Sequence, residues 1–212
     1  LNIVLFMQLF LVNFLVVLCG VLCGGQVLQF GTCADMSTMQ YFDLEEFLGQ
    51  WYEIERFPIW YENYGDCAYK RIQYCGRRVE IEHVYVRDGI QYVLHLNTTY
   101  VPGDDAVFVI QESNIDPVGM PLTVISTDYT NYAIVYGCKN SEPMGLKFIS
   151  AWILSRTPTL PDNILMQAHH ELNSVPSGSV AYLEKVDQRD MRCRFHWTAH
   201  VQAVNFNEDE QK

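Results

Sequence analysis

The sequence predicts an all-β chain of eight antiparallel strands, closed as an up-and-down barrel or stacked as a sandwich, with one helix after the last strand. Three observations carry this. From residue 49 onward, short runs rich in Val, Ile, Tyr, Phe and Thr follow one another. Turn residues separate them at hairpin-length intervals. A segment with helical spacing of apolar residues appears once, beyond the eighth run.

Residues Leu1 to Val21 are apolar except for Asn2, Gln8 and Asn13, and are followed by Cys23-Gly24-Gly25. We expect a secretory signal over 1–25, in preference to a retained anchor, although no Lys or Arg precedes the run. The barrel domain then occupies 26–193, and 194–212, ending in acidic residues, is expected to be a flexible tail. The expected strands are Trp51–Phe57, Cys67–Tyr74, Val79–Val86, Gln91–Tyr100, Ala106–Glu112, Leu122–Asp128, Tyr132–Cys138 and Leu146–Arg156. Breaks such as Arg87-Asp88-Gly89, Pro102-Gly103-Asp104 and Thr130-Asn131 carry turn chemistry. Pro161-Asp162 opens the helix, and Ile164, Leu165, Ala168 and Leu172 form its apolar stripe before Pro176. A short ninth strand is expected at Val180–Val186.

The chain has 212 residues, 49% apolar and 13% aromatic, which excludes a disordered polypeptide. Its 25 acidic and 14 basic residues give a net charge of -11, which argues against nucleic acid and anionic membrane surfaces as partners. Five cysteines lie beyond the expected signal: Cys33, Cys67, Cys75, Cys138 and Cys193. In an oxidising compartment, two disulfides and one leftover thiol are the simplest account. No CxxC or Cys/His spacing points to zinc, so no metal is expected. Asn97-Thr98-Thr99 is an N-glycosylation sequon and fits a secreted glycoprotein.

Gly49-Gln50-Trp51-Tyr52-Glu53, then Thr127-Asp128-Tyr129-Thr130-Asn131-Tyr132, then Arg156 after Ala151-Trp152-Ile153-Leu154-Ser155 stand in the order of three lipocalin motifs. The chain resembles that family over about Cys33 to Cys193, and within it the apolipoprotein D and insect bilin-binding type. The resemblance implies an eight-stranded antiparallel up-and-down lipocalin barrel with the helix packed outside. It implies that Cys33 pairs with Cys138 and Cys67 with Cys193, leaving Cys75 free. It also implies a structural plug of Gly49, Trp51 and Arg156 at one end. The guanidinium can lie on the indole and bond carbonyls of the segment before Gly49.

Strand parity then nominates the ligand-facing residues. Arg156 and Trp152 share parity, which turns Ser150, Trp152 and Leu154 inward. A glycosylated Asn97 must face outward, which turns Tyr92, Leu94 and Leu96 inward and His95 outward. The sixth strand offers Met120, Leu122, Val124 and Ser126. By resemblance, Ala133, Val135 and Gly137 on the seventh strand and Ile81, His83 and Tyr85 on the third face inward. His83 and Tyr85 are the polar candidates for ligand contact; the bland alternative is that they bond each other or water. His169-His170 on the helix is expected to be a solvated face. Loop Pro58–Asp66 carries Trp60, Tyr61 and Tyr64, either as a lid or as a transient contact with membranes or lipoprotein particles.

The leading function is a secreted, non-enzymatic carrier of a small hydrophobic ligand. The candidates are a lipid, fatty acid, sterol, retinoid or bilin pigment. No cofactor is required beyond such a bound bilin or lipid. Neither a Gly-x-Ser-x-Gly elbow nor a phosphate loop is present. One alternative is an isomerase or lipid-hydroperoxide reductase acting through Cys75 or Met120. Another is a protein-interaction module working through its loops. The oligomeric state stays open.

Overall fold

A computed structural model describes residues 26–36, 38–62, 65–75, 78–100, 106–142 and 145–205. The expected signal, Cys19, Cys23, Tyr64 and the Pro102-Gly103-Asp104 turn lie outside the described residues.

Alternation of apolar and polar residues produces the strands, and hairpin links make their pairing antiparallel. The barrel strands are β2 (Gly49–Arg56), β3 (Asp66–Cys75), β4 (Arg78–Arg87), β5 (Ile90–Leu96) with its continuation β6 (Thr98–Tyr100), β7 (Val107–Ile110), β8 (Pro121–Thr127), β9 (Tyr132–Ser141) and β10 (Leu146–Ser155). β2 pairs with both β3 and β10, so the first and last barrel strands meet. This is the expected up-and-down barrel, with its fourth strand interrupted at Asn97. There the pairing passes from β4 to β7.

Three further strands complete the sheet. β1 (Val27–Phe30) pairs with the first half of β10, where β2 has left it. β11 (Glu184–Lys185) pairs with the end of β2 and occupies part of the expected ninth strand; residues 180–182 form a 3-10 turn instead. β12 (Trp197–Gln202) runs parallel to β5, from Trp197 opposite Ile90 to Gln202 opposite His95. For residues 197–205 this corrects the expectation of a flexible tail over 194–212; residues 206–212 lie outside the described residues. Residues 197–205 belong to the barrel wall: Ala203 N donates to His95 O at 3.0 Å, and Ser113 bridges to Asn205. The free edge of β5 is the physical cause, since an unpaired edge presents a row of unbonded N–H and C=O groups.

A short helix, α1 (Leu44–Phe47), capped by Asp43, covers the closed end. The expected long helix is α2 (Asp162–Ser174). It buries Ala168 and Leu172 against the outer faces of β9 and β10, where Ile134, Ile149 and Ile153 are each fully buried. His169 is not simply solvated: its Nε2 lies 2.5 Å from Glu55 Oε2, tying the helix to β2.

At the closed end, the Arg156 guanidinium lies 3.7 Å from the centre of the fully buried Trp51 ring. It donates to the carbonyls of Leu48, Gln50, Glu46 and Tyr129 at 2.7–3.2 Å, and Trp51 Nε1 donates to Phe47 O. Gly49 has φ +101°, and a Cβ there would sit 3.3 Å from Arg156 Nη1, so both backbone and space call for glycine. Among the described residues, Cys33 is bonded to Cys138 and Cys67 to Cys193, and Cys75 is a free, exposed thiol at the end of β3.

Candidate functional site

Inside the barrel, an apolar wall surrounds one charged cluster. Ile72, Ile81, Leu94, Leu96, Phe108, Ile110, Leu122, Val124, Val135 and Leu154 are each at most 6% exposed. Among them stand Glu53, Arg56, Glu62, Lys70 and His83, every one 5% exposed or less. Pairing places them together: Lys70 is opposite Trp51 on β2 and opposite His83 on β4. Glu53 shares inward parity with Trp51. An irregularity in the β2–β10 register near Ile54 then sends Glu55 out to His169 and brings Arg56 in.

Lys70 Nζ is the hub. It lies 2.8 Å from Glu53 Oε1, 3.2 Å from Glu62 Oε1 and 3.1 Å from His83 Nδ1, with the Trp152 ring centre at 4.6 Å. Arg56 donates to Glu53 Oε2 at 2.9 Å and to the carbonyls of Glu62 and Gly65 at 2.8 and 2.9 Å. Burial alone would push the Glu53 carboxyl up; the Lys70 ammonium and the Arg56 guanidinium outweigh it and hold the group at about 2. Glu62 goes the other way. Its burial and the charge of Glu53 raise it above the usual carboxylate range, against Lys70 and Arg56. Burial, reinforced by Lys70, lowers His83 well below its usual range, so the imidazole is neutral at pH 7. An ammonium can only donate, so His83 Nδ1 accepts from Lys70 and its proton sits on Nε2. That Nε2–H has no hydrogen-bond partner among the described residues. Glu62 Oε1 lies 3.3 Å away without hydrogen-bond alignment.

Glu62 reaches the cluster from the loop between β2 and β3. That loop turns Ile59 (3% exposed) and Glu62 (0%) inward and leaves Trp60 39% exposed. Tyr61 packs edge-on at 6.1 Å from His83, and Trp152 Nε1 donates to Glu62 Oε2 at 3.4 Å. A Cβ on Gly65 would fall 2.6 Å from the Tyr85 ring, so the loop can descend this far only with glycine there. The described residues of this loop thus pack inward at Ile59 and Glu62 and outward at Trp60.

The nominated residues fall as follows. His83 and Tyr85 are inward and their rings are 5.5 Å apart; Tyr92 stacks on Tyr85 at 5.2 Å near the mouth. Leu94, Leu122, Val124, Val135 and Trp152 face the interior. Ser150 is buried, its hydroxyl accepting from Gln26 Nε2. Gly137 faces inward, and the space above it is filled by Met120 and Leu122. Met120 is itself buried, at 2% exposed. Ser126 is a correction. The β8–β9 register shifts between Val124 and Ser126, which reverses parity, and Ser126 Oγ instead meets Tyr132 Oη on the helix side. Sequence reasoning missed Glu53, Arg56, Glu62 and Lys70. Parity from Trp51 and the cross-strand partners of His83 were the signals available for Glu53 and Lys70; nothing local marks Glu62.

Asn97 is half-buried, and its Nδ2, the atom a glycan would take, donates to Ala203 O at 3.3 Å and to Asn205 Oδ1 at 2.7 Å. Sugar and docked tail compete for that atom. In a host that modifies sequons, glycosylated protein is expected to exchange amide hydrogens of 197–205 faster than its unglycosylated fraction. Equal exchange would show that the two coexist.

A family model described as the lipocalin / cytosolic fatty-acid binding protein family matches residues 48–185. Three relatives are similar to the chain. Insecticyanin-B of Manduca sexta is 31% identical over 164 residues, covering 74% of this chain and 78% of its own. Apolipoprotein D of Cavia porcellus is 33% identical over 65% of this chain and 72% of its own. A bilin-binding protein of Pieris brassicae is 29% identical over 61% and 70%. The solved insecticyanin structure from the same hornworm superposes with a TM-score of 0.73 at 23% identity, covering 85% of this chain and 98% of that one.

Proposed function

The chain belongs to the lipocalin / cytosolic fatty-acid binding protein family, and from that premise we propose that it is a secreted carrier of one small hydrophobic molecule held in the barrel. The single observation that carries the reading is the inner wall: apolar around its charged cluster, with a buried donor, His83 Nε2–H, that has no hydrogen-bond partner among the described residues and stands beside Tyr85. Burying a ligand's apolar surface there gains about 25 cal/mol per Å2 before ordering costs. The lone donor selects a ligand bearing an oxygen acceptor, a carboxyl or carbonyl, at one end. A fatty acid, a retinoid or a bilin meets that description, and a bilin is what the Pieris relative is named for. The lid carrying Tyr61 and Glu62 must swing out for entry, because both side chains pack on the cluster the ligand addresses. The two disulfides fit an extracellular setting.

Trp152 lies in the interior and can report on this. With Trp60 and Trp197 replaced by phenylalanine, which leaves Trp152 and the plug residue Trp51 as emitters, titration with a fatty acid, retinol, a sterol and biliverdin is expected to change the emission saturably for at least one compound. His83→Phe should weaken the binding of that compound. No emission change with any of them, in protein whose near-ultraviolet dichroism shows intact packing, would sink the carrier reading.

A further inference from the structure

A second cluster of ligating groups lies on the outer surface of the barrel, on the opposite side of β4 from His83. Glu80 and Glu82 share one face of β4, and Glu82 stands directly opposite His95 on β5. His95 Nδ1 is 3.2 Å from Glu80 Oε1 and 3.6 Å from Glu82 Oε1. The second oxygens of both carboxylates are held from β3: Arg71 donates to Glu82 Oε2 at 2.9 Å and Gln73 to Glu80 Oε2 at 3.5 Å. Both Oε1 atoms are thereby aimed at the same imidazole nitrogen. His200 arrives on β12 and meets the other nitrogen, with His95 Nε2 to His200 Nδ1 at 3.2 Å and the rings stacked at 5.5 Å.

The geometry points to a site for a divalent transition-metal ion, of the zinc type, held by Glu80, Glu82 and His95 and completed by the docking of β12. Three arguments support it. Zinc bonds of 2.0–2.1 Å in a tetrahedron put ligand atoms about 3.3 Å apart; His95 Nδ1 is already 3.2 and 3.6 Å from the two carboxylate oxygens, and all three atoms lie within 4.8 Å of one another. One imidazole and two carboxylates suit zinc, whereas calcium takes six to eight oxygens. A metal-bound imidazole uses one nitrogen and needs a partner for the other, and His200 is that partner. The side chains of Glu80, Glu82 and His95 are 23%, 13% and 18% exposed, open enough for an ion to enter and for water to take the fourth position. The buried trio Glu53, Glu62 and His83 has a similar spacing, but Lys70 Nζ already stands between its members and supplies the positive charge.

No Cys or His spacing announces this site because its ligands come from two strands and its orienting histidine from a third. Its construction also couples two events. An ion on His95 favours the docked His200, and by reciprocity docked β12 tightens the ion.

The test is calorimetric titration of the full-length chain with zinc chloride at neutral pH, repeated with cobalt to read coordination from its visible spectrum. One ion per chain is expected, with a tetrahedral cobalt spectrum. His95→Asn and Glu82→Gln should abolish binding. His200→Ala, at an exposed position, should weaken it about 10–100-fold with the stoichiometry unchanged. Zinc should also slow amide exchange over 197–203. Absence of binding by the unmodified chain, or binding retained in folded His95→Asn, overturns the site. Unchanged affinity in His200→Ala overturns its link to β12.

Discussion

Replacing Lys70 by methionine is expected to destabilise the fold by about 3–5 kcal/mol at pH 7, the scale for breaking a buried ion pair from one side. Methionine fills a similar volume, so packing is largely preserved and the loss is electrostatic. Without the ammonium, Glu53 and Glu62 face each other in an apolar surround with Arg56 as their remaining cation. The pH dependence should change with it. Glu53 in the intact protein is lowered from 4.5 to about 2. The stability it confers is therefore complete above its unfolded value and lost as pH falls from about 4.5 toward 2. A shift of this size is worth on the order of 3 kcal/mol. Glu62 is raised, so its contribution is complete below 4.5 and declines as pH rises through its folded value.

Removing Lys70 takes away the leading opposite charge on both carboxylates and moves both upward. The variant should then recover stability on acidification through the range where the intact protein begins to lose it. Urea unfolding at pH 7, 5, 4 and 3 measures this directly. The gap between the two proteins should narrow as pH falls. A gap that stays constant would mean that Lys70 contributes only packing, and the charged cluster would not be the organising feature of the interior.

Legibility of this chain follows how local each signal is. The barrel strands, the long helix and the inward faces of β5 and β10 were readable because parity and helical spacing hold over an uninterrupted element, whereas the plug and the inward face of β4 came from the resemblance. Ser126 failed because a register shift inside β8 reverses parity, and nothing in Pro121–Thr127 marks the bulge. Glu55 and Arg56 behave alike on β2: a clean alternation would place them oppositely to where they lie. The charged cluster was half-legible. Lys70 follows from being the cross-strand neighbour of His83, but Glu62 comes from a loop whose descent into the barrel depends on Gly65 passing the Tyr85 ring. The tail was misjudged on the composition of its final residues. Trp197, Ala199, Val201 and Ala203 alternate with polar residues just upstream, the pattern used to find the other strands.

That tail makes the Cys67–Cys193 bridge the covalent feature whose loss should reach furthest. Its partner cysteines are 126 residues apart, and those of Cys33–Cys138 are 105 apart. Chain entropy therefore credits each with nearly the same stabilisation, about 5 kcal/mol as an upper figure. Position separates them. Cys193 lies four residues before β12, so its bond to β3 delivers the strand to the β5 edge and limits the entropy of docking it. Cys33 anchors the opposite terminus, beside β1 and β9. Cys67→Ser/Cys193→Ser and Cys33→Ser/Cys138→Ser should thus lose similar stability, about 3–5 kcal/mol in chemical unfolding. Only the first should also expose the amides of 197–203 to fast exchange under native conditions. It should self-associate more readily as well, because β5 would then present an unpaired edge. If those amides stay equally protected in both variants, β12 docks by its own hydrogen bonds and the alternation of its side chains, and the bridge is a brace for the barrel rather than a tether for the strand.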